Sequence, residues 1–533
     1  MEITKKFKSL IFIIPAVIAF FLVLIPTLKY QWPLSWDAIY QVQYAQVYAQ
    51  YGFVLTNPLL NAPLGQKISY PPLFDFLIAS IGMVTKADLF QVARFIQPFL
   101  VMFIVLAVSY VSRKFYGTIA GISTGFLILS SLLLGNRLIF PLPENLALIF
   151  FPLAVYFYYH SLKEKSLKYS VLAGSLLIII LLIHQSAPLI LFLVISAITV
   201  VELIFYRNIH SFKNYGVFLV IPLILLILTL LIFLLGLIPG LTNIFSNILN
   251  HGVQEAFSTS SVASSQPLKI SSYGNLGVLT LIFGLIGAVA AIKRRQKRDI
   301  VILTWIFTII LLINAYIFGI NGINSISYRL LVYLLIPVSI LGGFGISSVY
   351  HKLKDYKRFS SKNFRTAFLI SIFVLATFDG VLTVENPLIS SFEITNQYGS
   401  FQIAPPSSSE EDLVNWFNEN GDKNKSILSN DLFPLTYVTS QTGMSLASDT
   451  KFKYFNKNLS ESFFEKNKIG YVVLDKRLSF NSDNGTLYKV EYDGKFYKLF
   501  YYSEDISSNI NNILPSYMTV VYENNYFIIC KVQ

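Results

Sequence analysis

Hydrophobic residues follow one another along most of this chain in long runs, separated by short connections that hold most of the charge. A helix of about 20 apolar residues is long enough to cross a bilayer core about 30 Å thick. Eleven such runs can be distinguished, at residues 9–28, 92–112, 118–135, 142–160, 169–185, 187–206, 215–238, 273–292, 300–318, 329–350 and 366–383. The pattern therefore predicts a polytopic α-helical membrane protein with 11 transmembrane helices, the first of which is a retained anchor.

Composition and charge support this prediction. Of the 533 residues, 54% are hydrophobic and 13% are charged, whereas about a quarter of the residues in soluble domains are charged. Alternate connections hold 21 basic residues, while the connections on the opposite side hold seven up to residue 383. Basic residues concentrate on the cytoplasmic side of membrane proteins. The N-terminus is therefore predicted to be cytoplasmic, and the net charge of +12 reflects topology, not binding to nucleic acid.

The last 150 residues, 384–533, differ from the rest, with 18 acidic and 13 basic residues. There, "EEDLVNWFNENG" predicts a short helix, "KSILSN" a strand, "FFEKNKIGYVVLDKRL" a helix followed by a strand, and "YMTVVYENNYFIICKV" a hairpin. An odd number of spans places this segment outside the cell. We therefore predict a transmembrane domain at 1–383 and a small extracytoplasmic α/β domain at 384–533, localised to the cell membrane.

The longest outer connection of the membrane part, 29–91, is too apolar for a loop in water. Residues 36–51 are predicted to form a helix lying in the membrane interface. The side chains expected to contact lipid are Ile39, Val42, Ala45 and Ala49. Those expected on a wetter face are Gln43, Gln46 and Gln50. A return rich in Pro and Gly leads from there into a second interfacial helix.

Several short motifs in this connection recur in one known group of enzymes. Asp37 opens the first helix, Tyr51-Gly52 ends it, a Pro63-Leu-Gly65 loop follows, and "SYPPLFDFLIASIG" enters the next helix. With "LPENLALIFFPLAVYFYY", "IHQSAPLILFLV" and "YRLLVYLLIPVSILGGFGI" further along, the chain resembles GT-C glycosyltransferases. The resemblance is greatest to the protein O-mannosyltransferases and the lipid A aminoarabinose transferases. Two positions depart from their pattern: the acid pair Asp-Glu is Asp37-Ala38 here, and the lysine of "KPPL" is Tyr70.

The resemblance implies an integral-membrane glycosyltransferase that moves a sugar from a polyprenyl- or dolichyl-phosphate carrier to a protein, lipid or glycan acceptor on the outer face. Such a transfer, here expected to be inverting, needs a base for the acceptor proton and a cation for the departing phosphate. Five acids lie in the predicted outer connections before residue 384, namely Asp37, Asp75, Asp88, Glu144 and Glu255.

Asp37 is our candidate for the catalytic base. The alternative is a carboxylate that only stabilises the start of its own helix. Asp75 is the next candidate, and its alternative is an acid on the polar face of an amphipathic helix. Asp88 is predicted to cap a helix. Glu144, which follows Pro143 at a helix start, is predicted to bind substrate or to pair with Arg137.

Arg329 is our candidate for the phosphate ligand, because an arginine at an outer helix end is costly unless paired or wet, and its guanidinium matches phosphate oxygens. The alternative is an arginine that only reaches the membrane surface. The predicted substrate-binding set is completed by Arg137, Lys67, Tyr70, Glu144, Asp75, Glu255 and His184, with Lys67 as the substitute for the lysine missing at Tyr70. His251 and Glu255 lie four residues apart, but a single histidine argues against a transition-metal site. The residues identify no definite cofactor. They leave open whether a divalent cation, Mg²⁺ or Mn²⁺, takes part.

Other functions stay open at this stage. An oligosaccharyltransferase-like enzyme would need more clustered acids and a divalent metal. A transporter or lipid flippase would have charges near the middle of the bilayer and an internal repeat. The substitutions at Ala38 and Tyr70 also leave open a non-catalytic copy.

The predicted topology can be tested with a cysteine introduced at Asp422. Because residues 384–533 are expected outside, a membrane-impermeant thiol reagent should label the Asp422→Cys variant in intact cells. Labelling only after lysis would place this segment in the cytoplasm.

Overall fold

Helices predominate in the computed structural model, which describes residues 11–30, 32–68, 70–235, 268–318, 327–385, 392–396, 399–403, 408–479, 489–493, 498–502 and 504–533. The chain divides into two compact units. We call the first the helical unit, comprising Met1–Gln31, Ser69–Phe74 and Arg94–Leu388. We call the second the mixed unit, comprising Trp32–Ile68, Asp75–Ala93 and Ile389–Gln533.

Thirteen α-helices occur in the described part of the first 385 residues. They are α1 (Ile14–Lys29), α2 (Trp36–Tyr51), α3 (Leu73–Thr85), α4 (Leu89–Tyr116), α5 (Thr118–Leu129), α6 (Pro143–Glu164), α7 (Leu167–Ile183), α8 (Ala187–Tyr206), α9 (His210–Leu234), α10 (Val278–Arg294), α11 (Lys297–Ile313), α12 (Ser327–Lys352) and α13 (Lys362–Glu385). Each of the eleven predicted spans coincides with one of these, α1 or α4 to α13. The predicted fold class, a polytopic helical membrane protein, is confirmed.

The number of spans stays a prediction. By length and apolarity, seven of the described helices could cross a membrane, and an eighth candidate arises if the bent pair Ile270–Leu276 and Val278–Arg294 forms one span. Three further apolar helices, α3, α5 and α7, are shorter. Both predicted helices of the first connection, α2 and α3, are present.

Close packing of α10 against α12 fixes the helix that carries Arg329. A Cβ atom on Gly287 of α10 would collide with the carbonyl oxygen of Leu341, and one on Gly345 of α12 would collide with the carbonyl oxygen of Phe283. Small residues at such positions allow two helix backbones to approach closely and gain dispersion contacts. In lipid these contacts matter because the hydrophobic effect does not drive helices together.

The mixed unit contains the strands. They are β1 (Thr56–Asn57), β2 (Gln66–Lys67), β3 (Phe392–Asn396), β4 (Gly399–Ile403), β5 (Ser426–Ser429), β6 (Ser445–Leu446), β7 (Ile469–Asp475), β8 (Lys489–Asp493), β9 (Lys498–Tyr502), β10 (Met518–Glu523) and β11 (Phe527–Val532). Its helices are α14 (Ser408–Asn420), α15 (Leu432–Thr442), α16 (Asp449–Phe452), α17 (Glu461–Lys466) and α18 (Ile510–Ile513), with α2 and most of α3.

The main sheet has the order β10-β11-β7-β5-β6. Strand β5 runs parallel to β6 and β7, and β11 runs antiparallel to β7 and β10. A core that includes Phe452, Phe464 and Val472 lies against it. This is the small α/β arrangement that the sequence predicts, including the helix at α14, the strand at β5 and the final hairpin.

The first outer connection packs within this same unit, which the sequence does not indicate. The backbone N–H of Leu446 in β6 donates to the carbonyl of Leu59 at 2.7 Å, and Ala62 donates to the carbonyl of Leu446 at 2.9 Å. Residues 32–68 and 75–93 therefore belong to the same compact unit as the C-terminal segment. The predicted division into domains at 1–383 and 384–533 stays a prediction.

The predicted faces of α2 are correct only in part: Gln50 is exposed and Gln46 half-exposed, as expected, but the predicted lipid face and Gln43 are wrong. Ile39, Val42 and Ala45, expected to contact lipid, are 3%, 1% and 0% exposed because protein covers them. Gln43, expected on the wet face, is fully buried and hydrogen-bonded. The helical spacing identifies two faces correctly, but it cannot show that α15 of the C-terminal segment covers the helix.

Candidate functional site

An ion pair between Arg137 and Glu144 forms the centre of the candidate site in the helical unit. Glu144 Oε2 accepts from Arg137 Nε at 2.9 Å and from Nη2 at 2.7 Å. The two side chains are only 15% and 3% exposed. Glu144 lies in the first turn of α6, directly after Pro143, where the helix N-terminus also favours a negative charge. The predicted pairing of Glu144 with Arg137 is confirmed.

A single turn of π-helix, Leu134–Leu138, presents Arg137 to Glu144. Asn145 holds this turn: its Nδ2 contacts the carbonyl oxygens of Arg137, Leu138 and Phe140 at 3.1, 3.0 and 2.7 Å. Wide turns leave carbonyl groups without helical partners, and a buried amide can satisfy them. Asn145 is thus a positioning residue that the sequence analysis missed. Its role depends on the π-turn, for which the sequence has no signal.

His184 lies between α7 and α8 and adds a neutral donor to this group. Its Nδ1 accepts from the backbone N–H of Ala187 at 3.2 Å, so the ring proton lies on Nε2. Because Nδ1 accepts this hydrogen bond, it carries no proton, and the ring is neutral and offers an N–H, not a charge.

Arg329 and Tyr333 reach the same group from the first turns of α12. Arg329 is half-buried and close enough to Glu144 and His184 to act electrostatically on both. The charges of Arg137, Arg329 and Glu144 act on the hydroxyl of Tyr333, as does Tyr70. Tyr333 is a second residue that the sequence analysis missed. The sequence did contain a signal for Tyr333: it lies four residues after Arg329, and residues four apart on a helix share a face.

The structure thus brings together five predicted residues, Tyr70, Arg137, Glu144, His184 and Arg329, with Tyr333. The rings of Tyr70 and His184 lie with their centroids 6.4 Å apart. Two guanidinium groups and one carboxylate leave a net positive charge. Within the described residues, Glu144 Oε1 and the Tyr333 hydroxyl are buried without a hydrogen-bond partner. The group can therefore bind an anion and has polar atoms left for a hydroxylated ligand.

The other predicted residues lie in the mixed unit or outside the described residues. Asp37 is half-exposed in the first turn of α2, and no described residue forms an ion pair with it. Lys67 is exposed on β2. His251 and Glu255 lie outside the described residues. Asp88 caps α4, accepting from the backbone N–H groups of Phe90 and Gln91 at 3.0 and 3.1 Å, as predicted.

Asp75 does not lie on a polar helix face, so this alternative is wrong. The residue is fully buried in α3, and neither carboxylate oxygen has a hydrogen-bond partner among the described residues. Burial raises the pKa of this carboxyl group well above its usual range and so favours its neutral form. Tyr44 and Tyr48 of α2 lie near it.

No group of three His, Cys, Asp or Glu side chains placed to hold a metal ion occurs in the part of the chain that the structure describes. The arrangement that does occur, two arginines and a histidine N–H around one carboxylate, favours an anionic ligand.

Comparison with known proteins supports the fold. The model of a family described as "Family of unknown function (DUF6541)" matches residues 60–430. No curated protein matches the sequence. Solved structures with a similar fold include the oligosaccharyltransferase AglB from Archaeoglobus fulgidus in complex with an inhibitory peptide and a dolichol-phosphate. Its TM-score is 0.59 at 16% identity, over 89% of this chain and 70% of that one.

Two further structures are similar. ArnT from Cupriavidus metallidurans bound to undecaprenyl phosphate has a TM-score of 0.60 at 10% identity, over 92% of this chain and 93% of that one. The arabinofuranosyltransferase AftD from Mycobacteria has a TM-score of 0.54 at 12% identity, over 98% of this chain and 40% of that one. At these identities the similarity shows the fold, and the expected GT-C-like architecture is confirmed.

The ion pair at the centre of the site can be tested by separating its partners. Arg137→Met leaves the buried carboxylate of Glu144 without its bidentate partner, so we expect a loss of about 3–5 kcal/mol in the free energy of unfolding. Adding Glu144→Gln to this variant removes the unpaired charge and should restore most of the loss. Thermal unfolding in detergent measures both variants. Equal unfolding temperatures for the single and double variants would show that the pair is not coupled.

Proposed function

We propose that this chain, which belongs to the DUF6541 family, is an integral-membrane glycosyltransferase that uses a polyprenyl- or dolichyl-phosphate-linked sugar as donor. The observation that carries this proposal is the group formed by Arg137, Glu144, His184 and Arg329 at the ends of apolar helices. A cationic group of this kind in a multi-pass membrane protein fits the phosphate of a lipid carrier. The acceptor is a hydroxylated or amide-bearing group of a protein, lipid or glycan on the extracytoplasmic face.

The two arginines have different roles in this proposal. Arg137 is oriented by both of its hydrogen bonds to Glu144, so it contributes a fixed positive charge. Arg329 is half-buried, and its guanidinium can take two phosphate oxygens in a bidentate contact. The Nε2–H of His184 supplies a further, neutral donor. Donors that are already oriented stabilise the charge that builds up on a leaving phosphate without reorganisation.

Asp37 is the proposed base. In a single inverting displacement, the acceptor oxygen forms a bond to the anomeric carbon of the sugar while the bond from that carbon to the phosphate oxygen breaks. The electron pair of that bond leaves with the carrier phosphate, and the acceptor proton passes to the carboxylate of Asp37. The half-exposed position of Asp37 leaves its carboxylate accessible to an acceptor.

The proposal leaves open a divalent cation, Mg²⁺ or Mn²⁺, as cofactor. Chelation of an active membrane preparation tests this directly. An oligosaccharyltransferase-like activity would show as transfer to asparagine, and a flippase would move the lipid without forming a glycosidic product. The predicted orientation, with a cytoplasmic N-terminus and an outer C-terminal segment, belongs to the proposal as well.

Arg329→Ala is expected to lower kcat/KM for the lipid-phosphate donor. Losing one charge-assisted phosphate contact should cost about 2–4 kcal/mol in the transition state, which is about 30- to 1000-fold. Lys269→Ala removes an exposed charge from the predicted outer side and serves as control. Transfer of radiolabelled sugar from a polyprenyl-phosphate donor in purified membranes measures both variants. Wild-type kinetics for Arg329→Ala would exclude this arginine from the site.

Asp37→Asn is expected to lower the transfer rate by about 10²–10⁴-fold, because it keeps the size and polarity of the side chain and removes its ability to accept a proton. Binding of the donor should change little, since the proposed phosphate ligands are Arg137, His184 and Arg329. Glu411→Asn serves as control, because it replaces a half-buried acid of α14 outside the proposed machinery. Full activity of Asp37→Asn would leave Asp37 as a helix-end charge and transfer the role of base to another acid.

A further inference from the structure

The segment that follows the last predicted span is joined to the first outer connection by a buried polar contact. Gln43 of α2 is fully buried, and its Nε2 donates to Thr439 Oγ1 of α15 at 2.6 Å, across 396 residues of sequence. Its Oε1 accepts from Asn57 Nδ2 at 3.2 Å. Asn57 is also fully buried, and its Oδ1 accepts from the backbone N–H of Leu59. We call Gln43, Asn57 and Thr439 the clamp.

The clamp continues into the edge of the main sheet. Leu59, held by Asn57, accepts from the backbone of Leu446 in β6, and Lys451 Nζ donates to the carbonyl of Ala62 at 2.6 Å. Helix α2 and the segment after it are therefore fixed from two sides by the C-terminal segment, through α15 and through β6. Both contacts lie within the mixed unit.

Asp37 lies on the helix that the clamp holds. Tyr40, one turn after Asp37, hydrogen-bonds Thr436 of α15, and its ring lies 6.5 Å from that of Phe433. Gln43 lies one turn further on. These are buried polar contacts. If one partner is removed, the other stays buried without a hydrogen bond, and this costs the free energy of its desolvation. The start of α15 is itself fixed, since Asp431 Oδ1 accepts from the backbone N–H of Phe433 at 2.9 Å.

From this geometry we infer that the C-terminal α/β segment positions the catalytic helix, and that Gln43 and Thr439 are positioning residues for Asp37. The inference rests on the proposed function for the role of Asp37. It assigns a purpose to a segment that contributes none of the proposed phosphate ligands. A hydrophobic residue at position 43 could pack against α15 equally well, but it would not fix the rotation of α2 about its axis, which directs Asp37.

The test uses the full-length protein in detergent and three variants. Gln43→Ala and Thr439→Val remove the contact from either side, the second with little change in volume. Gln50→Ala, an exposed glutamine on the same helix, is the matched control. We expect kcat for sugar transfer to fall by about 10²-fold in both clamp variants, because small displacements of a reacting group have effects of this size. KM for the lipid-phosphate donor should stay within about twofold of wild type, since the proposed phosphate ligands are untouched.

A second readout does not depend on activity. Amide hydrogen exchange within 36–51 should become about tenfold faster in both clamp variants and stay unchanged in Gln50→Ala, because local opening no longer breaks the buried contact. Exchange in α6 and α12 should match that of wild type. Wild-type exchange in 36–51, or faster exchange in all helices together, would overturn the inference.

The two readouts separate this inference from the proposed function. If wild-type protein transfers sugar and depends on Asp37, but Gln43→Ala and Thr439→Val keep the wild-type kcat, the positioning role is wrong and the proposed function stands. If wild-type protein shows no transfer at all, the proposed function fails, and the exchange data alone decide whether the clamp holds α2.

Discussion

A carboxylate taken out of water must find a cation or give up its charge, and this constraint organises both units of the protein. The cost of burying an unpaired charge is several kcal/mol even after relaxation. Among the described residues, four buried carboxylates meet the requirement with an arginine: Glu144 with Arg137, Asp299 with Arg294, and both Glu410 and Asp475 with Arg477. Asp75 follows the other course, because its burial without a hydrogen-bond partner among the described residues raises the pKa of its carboxyl group and favours the neutral acid.

The same constraint explains why the candidate site can be rigid without a metal ligand set. Pairing with Glu144 fixes Arg137, and Asn145, the next residue, fixes the turn that carries Arg137. The first turn of α6 therefore orients both the guanidinium of Arg137, through Glu144, and the backbone of Arg137, through Asn145. The pairing does not neutralise the group, because Arg329 adds a second positive charge within reach of the same carboxylate. The result is a preorganised positive potential, which fits the lipid phosphate of the proposed function.

The sequence predicted the helices well because apolar runs of membrane-spanning length depend on local composition alone. It also identified Arg137, Glu144, His184 and Arg329 individually, since charged and polar residues at the ends of apolar helices are rare enough to be noticed. Their assembly into one group was not predictable, because it depends on how α6, α7 and α12 pack. Gln43 illustrates the opposite failure. Helical periodicity places it on a polar face, but that face meets Thr439, 396 residues away, and no local pattern shows this.

Similarity of fold at 10–16% identity says little about chemistry, so the departure from the resembled families at Tyr70 has to be explained from the residues. Tyr70 replaces a lysine and cannot supply a positive charge, yet its ring lies beside His184, next to two arginines. A point charge on a flexible lysine would have to be ordered on binding, whereas an arginine held by a buried glutamate is ordered beforehand. In the proposed function, Arg137 and Arg329 supply a positive charge near Tyr70 from helix ends, so the proposed site does not require a charge at position 70.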